Sequence, residues 1–105
     1  MSCKKMTYAL TVAGFDGSAG AGLLADIKTM AHFGVYGQAV CTALTQQNEE
    51  EFVAPGWVIW DRIEAQLGTL FKKHKFKYVK IGLVEKARTL KRVVEIVRNE
   101  SPDAF

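Results

Sequence analysis

Residues 9–26 read ALTVAGFDGSAGAGLLAD, and this stretch decides the fold. The apolar strand pattern that opens it runs from the preceding Tyr8 to Ala13. Four glycines follow, Gly14, Gly17, Gly20 and Gly22, and a helical pattern begins near Leu23. Glycine costs backbone entropy, so such density is kept where the chain needs φ > 0 or close approach to another group. A strand passing through a glycine-rich turn into a helix aims backbone N–H groups over the carboxyl end of a sheet, where open α/β folds hold ligands.

Outward from this segment, the chain alternates strand and helix. Leu23 to Phe33 reads as a helix with Leu23, Ile27, Met30 and Ala31 on one face and Asp26 in its first turn; Gly34 ends it. Gln38 to Leu44 reads as a buried strand, and polar, acidic Gln46 to Glu51 as an exposed loop. Phe52 to Ile59 is ambiguous, with Pro55-Gly56 a turn signal. Asp61 is placed as the N-cap of a helix reaching about Lys73, its inner face Ile63, Leu67, Leu70 and Phe71. Tyr78 to Leu83 is a third strand. From Lys86 or Ala87 to Asn99 runs an amphipathic helix with Leu90, Val93, Val94 and Val97 inward, broken by Ser101-Pro102. This alternation predicts an α/β fold, three layers deep (α/β/α), with a mainly parallel sheet that is incomplete at the C-terminus. The Tyr78–Leu83 strand is expected to leave an exposed edge, which makes the fragment marginal by itself.

Composition narrows the function classes. The chain has 105 residues, 49% hydrophobic and 24% charged, with a net charge of +3, so neither disorder nor nucleic-acid binding is indicated. The basic run Lys72, Lys73, His74, Lys75 and Lys77 falls at a helix C-terminus, where cations are favoured, and reads as a solvated turn. Cys3 and Cys41 are too few and too far apart for a zinc site or a disulfide framework, and Cys41 is expected as a buried free thiol. No apolar run approaches the ~18 residues of a membrane span, and neither a signal peptide nor any location but the cytoplasm is expected.

Two glycine-rich motifs fail. Gly20-Ala21-Gly22-Leu23-Leu24-Ala25 has the letters of the dinucleotide fingerprint, but Gly20 lies well beyond the strand end and no acidic residue follows at the required distance. No Gly-Lys-Ser/Thr follows, which excludes a P-loop.

The stretch from Ala9 to Asn48, with Lys80-Ile81-Gly82-Leu83 as a second signature, closely resembles the N-terminus of hydroxymethylpyrimidine and phosphomethylpyrimidine kinases, thiamine-biosynthesis enzymes of the ribokinase-like superfamily. The resemblance covers nearly all of this chain and well under half of a typical member. It implies ATP- and Mg2+-dependent phosphorylation of an aminopyrimidine alcohol and of its monophosphate, in a protein that is commonly a homodimer. It implies substrate contacts at Ala21, Asp26, Gln47 and Leu83, the last at a position where the family commonly has methionine. Gly14, Asp16, Gly20 and Gly22 are expected to shape the loop, Asp16 by an Asx-type bond. An amide and a carboxylate match the adjacent donors and acceptors of an aminopyrimidine. The groups for ATP and magnesium, and the anion hole, are expected beyond these residues, so no catalytic residue and no metal ligand is assigned here. Residues 1–105 are thus expected to be the N-terminal, substrate-side portion of one kinase domain. Lys80 is expected either to meet phosphate or to form a structural ion pair, Trp57 and Trp60 to pack or to line an interface, and His32 and His74 to lie at the surface. Where the family loop reads Ser-Gly-Gly, this chain has Ser18-Ala19-Gly20; if position 19 needs φ > 0, alanine is strained there. Leu24 replaces the usual glutamine. A pyridoxal or pyridoxine kinase is the second reading, and a non-catalytic pyrimidine-binding or interaction module the third.

Overall fold

A computed structural model describes residues 6–105; Cys3 lies outside the described residues. In chain order the elements are β1 (Tyr8–Phe15), α1 (Gly22–His32), β2 (Tyr36–Gln47), β3 (Phe52–Trp57), α2 (Trp60–Phe71), β4 (Tyr78–Ile81) and α3 (Ala87–Glu100). The sheet order is β3-β2-β1-β4. β1 is central, with β2 and β4 parallel to it on either side, while β3 pairs antiparallel with β2. The α/β class and mainly parallel sheet expected from the alternation are therefore present.

Side-chain alternation along the strands builds the three layers. Leu10, Val12 and Val40 point to one face and join Ile63 and Leu67 of α2 and Val93 and Val97 of α3 in the buried core. On the opposite face Thr11 reaches α1, and a Cβ at Gly37 would fall within 3 Å of Met30 and Ile27 side chains, so α1 lies directly on β2 there.

Several boundaries differ from the sequence reading. β2 extends to Gln47, so Gln46 and Gln47 lie in a strand, not in the loop. Phe52–Trp57 is a strand despite Pro55-Gly56: β3 is an edge strand, where a missing N–H costs no ladder bond. α2 begins at Trp60 after Ile59, and Asp61 sits in the first turn, where its charge suits the dipole without capping. α1 begins at Gly22, so Asp26 lies beyond the first turn, and no residue of α1 is fully buried; Ala31 is exposed. Leu90 and Val94 are partly exposed. Val94 borders a shallow groove with Val79, Ile81 and Phe105 beside the outer strand. Cys41 is only half-buried. β4 ends at Ile81, and its outer edge is not bare at the start: Phe105 N–H donates to Lys77 O, and Val79 N–H donates to Phe105 O. No helix among the described residues is long and apolar enough to cross a membrane.

Candidate functional site

The β1–α1 loop is held by one carboxylate. Asp16 is buried; its Oδ1 accepts Ser18 N–H (2.9 Å) and Ser18 Oγ (2.7 Å), and its Oδ2 accepts Ala21 N–H (3.1 Å). The Ser18 hydroxyl first, then its N–H and those of Ala21 and Gly20, favour the anion and hold the Asp16 carboxyl below the usual carboxylate range. A folded-state value below the unfolded ~3.9 means that this contribution to stability is complete above about pH 4 and is lost as pH falls through the folded value. Stability followed by urea unfolding at a series of pH values should therefore decline as pH falls below about 4, and Asp16→Asn should flatten this part of the profile.

Ala19 has φ 61°, the left-handed conformation that alanine disfavours. Ala19→Gly should raise stability by about 1 kcal/mol, read as a higher urea midpoint at unchanged slope.

Gly22 (φ 70°) carries the tightest constraint: a Cβ there would lie 2.3 Å from Gly14 O. The first turn of α1 thus rests on the end of β1. At Gly14 a Cβ would meet Leu83 Cδ2 at 3.1 Å, whereas at Gly20 the nearest atom, Ser18 Oγ, is at an ordinary 3.5 Å. The steric demands of the loop fall on Gly14 and Gly22.

Between this loop and the ends of β2 and β4 lies a cleft of about 140 Å³. Ala21, Gln47 and Leu83 line it, together with Gly14, Asp16, Gly22, Thr45 and Lys80. Three of the four residues expected to touch substrate thus share one cleft. The fourth, Asp26, stands behind the wall: its Oδ2 accepts Thr11 Oγ1 at 2.6 Å and Lys80 Nζ at 2.8 Å. Lys80 lines the cleft and Asp26 does not, so of the pair it is Lys80 that borders the cleft. Gly82 makes room for it, since a Cβ at 82 would lie 3.2 Å from Lys80 Nζ.

The model of the phosphomethylpyrimidine kinase family matches residues 16–104, from the aspartate of this loop to the last turn before the C-terminus. The chain belongs to the phosphomethylpyrimidine kinase family. Among curated relatives, the hydroxymethylpyrimidine/phosphomethylpyrimidine kinase of Aquifex aeolicus is 40% identical over 92 residues, 88% of this chain and 36% of its own. The crystal structure of the phosphomethylpyrimidine kinase of Clostridium difficile superposes with a TM-score of 0.82 at 35% identity, covering 90% of this chain and 41% of that one. The pyridoxal kinase of Staphylococcus aureus, in complex with AMP-PCP and pyridoxal, gives a TM-score of 0.81 at 29% identity, covering 90% and 36%. The chain thus spans about a third of the length of the curated relatives it matches.

Within this ribokinase-like kinase fold the sequence reading missed Thr11 and Thr45. Thr45 Oγ1 accepts Gln47 Nε2 (2.7 Å) and donates to Phe15 O (2.7 Å), tying β2 to the start of the loop. The signal was period two: once Gln47 is placed in a strand, Thr45 must share its face. Lys80 is the ion-pair partner of Asp26, one of its two expected roles. His74 stacks on Tyr8 away from the cleft. Among the described residues no group of three or more His, Cys, Asp or Glu is placed to hold a metal ion.

Proposed function

We propose that this chain is the substrate-binding portion of a hydroxymethylpyrimidine/phosphomethylpyrimidine kinase, and that the cleft between Gly14, Gln47 and Leu83 receives 4-amino-5-hydroxymethyl-2-methylpyrimidine. The observation that carries this reading is the convergence of Ala21, Gln47 and Leu83 on one small cleft at the carboxyl ends of parallel strands. Gln47 gives its amide N–H to Thr45, which turns the amide oxygen into an acceptor for an exocyclic amine. Leu83 and Ala21 bound the ring from its apolar sides. Lys80, fixed by Asp26, offers its remaining ammonium hydrogens to a ring nitrogen or to the phosphate of a monophosphate.

The whole enzyme would transfer a phosphoryl group from ATP with Mg2+, which neutralises charge on the transferring group. The residues of this chain bind and orient the alcohol, and the nucleotide and metal are assigned to parts of the kinase outside these 105 residues. Residues 1–105 then form one continuous part of a single kinase domain, acting in the cytoplasm and paired as a homodimer. The exposed apolar residues Leu44, Phe52 and Val53 on the β2–β3 hairpin support the last assignment.

The likeness to a pyridoxal kinase holding pyridoxal supports a second reading, a pyridoxal-type alcohol in the same cleft. Calorimetric titration of the full chain with the pyrimidine, with pyridoxal and with ATP separates the readings. Heat with the pyrimidine exceeding that with pyridoxal, and none with ATP, is the expected result. Preference for pyridoxal would transfer the site to the second reading, and silence with both would exclude both.

A further inference from the structure

A second pocket, of about 290 Å³, opens between the starts of α2 and α3. Thr42 lines it and donates its hydroxyl to Leu83 O, so it backs onto the substrate cleft but shares none of its lining. One wall is apolar: Trp57, Trp60 and Ile63. The other is cationic: Lys86, Arg88 and Arg92.

The charge arrangement is locally unfavourable. Lys86 and Arg88 stand at the start of α3, the end where the helix dipole disfavours cations. Arg88 and Arg92 are four residues apart, a like-charge pair on one helix face. Glu85 is the one carboxylate in the lining, and among the described residues no carboxylate lies within 4.0 Å of any of the three cations. Local choices that oppose the fold with no compensation inside the protein concentrate at binding sites. Arg92 is also pre-positioned: its guanidinium lies 5.3 Å from the centroid of the Trp60 ring, leaving its edge N–H groups free for a bidentate partner.

We propose that this pocket binds a small aryl phosphate, its ring against Trp57 and Trp60 and its phosphate on Lys86, Arg88 and Arg92. The volume suits a single-ring body with one charged head. The site is distinct from the substrate cleft and stands whether or not the cleft takes a pyrimidine.

The chain has two tryptophans and both line this pocket, so intrinsic fluorescence of the full chain reads it directly. Titration with phenyl phosphate should change the emission saturably, and phenol at the same concentrations should not. The double variant Lys86→Ala/Arg88→Ala should weaken the affinity roughly tenfold or more, since two charge-assisted bonds are lost. Both side chains are exposed, so the variant should unfold at the same temperature as the native chain or higher. Three results would each overturn the proposal: an equal response to phenol, no saturable response to phenyl phosphate, or an unchanged affinity in the double variant.

Discussion

Gly22→Ala should destabilise the chain by about 3 kcal/mol or more, a large share of the stability of a domain this size. Two costs combine. The backbone at 22 has φ 70°, and a left-handed alanine costs roughly 1–2 kcal/mol. The added carbon would also sit 2.3 Å from Gly14 O, far inside contact distance, and the obstacle is backbone, not a flexible side-chain tip. Relief requires α1 to move off the end of β1, which pulls Ala21 away from Asp16 Oδ2 and opens the loop. Urea unfolding should show a midpoint lowered far beyond that of Gly20→Ala, where a Cβ meets its nearest neighbour at an ordinary 3.5 Å. Equal effects at 20 and 22 would contradict this account of the loop.

Gln47→Ala should lower the affinity for 4-amino-5-hydroxymethyl-2-methylpyrimidine tenfold to a hundredfold while leaving the unfolding midpoint within about 0.5 kcal/mol of the native chain. The half-buried amide is anchored at one end by Thr45 and faces the cleft, so its loss removes a directed acceptor without opening the core. A buried donor on the ligand then goes unpaired, which costs more than the bond itself contributes. The loss should be smaller for an analogue lacking the exocyclic amine. A variant that bound the amine and its des-amino analogue with unchanged preference would remove Gln47 from the recognition role.

The fold was legible because its signals were local and consistent. The apolar run before Gly14, the helical periodicity of α2 and α3, and the breaks at Gly34 and Pro102 each place an element. The misreadings have physical reasons. Gln46 and Gln47 read as loop because they are polar, yet they occupy the end of a strand whose outer face is wet and whose ladder is completed by β3, a partner that periodicity does not reveal. Pro55 was a turn signal that an edge strand tolerates. Leu90 and Val94 satisfied the amphipathic pattern of α3, but only Val93 and Val97 reach the core, because a pattern marks an apolar face and not how far the neighbouring layer extends.

The cleft was less legible than the fold. Ala21, Gln47 and Leu83 are implied by resemblance, and only the folded arrangement of the loop with the ends of β2 and β4 shows that they share one cavity. Asp26, expected beside the ligand, lies on α1 and draws its partners Thr11 and Lys80 from two strands, β1 and β4. Such a network joins residues 15 and 54 positions apart, and no single-sequence pattern encodes it.

We propose that the cleft bounded by Gly14, Gln47, Lys80 and Leu83 holds the aminopyrimidine alcohol. Backbone amide shifts of the full chain, followed by NMR as 4-amino-5-hydroxymethyl-2-methylpyrimidine is added, test it most directly. Saturable changes centred on Ala21, Gly22, Thr45, Gln47 and Leu83 are the predicted result. Changes confined to other surfaces, or none at millimolar ligand, would contradict it.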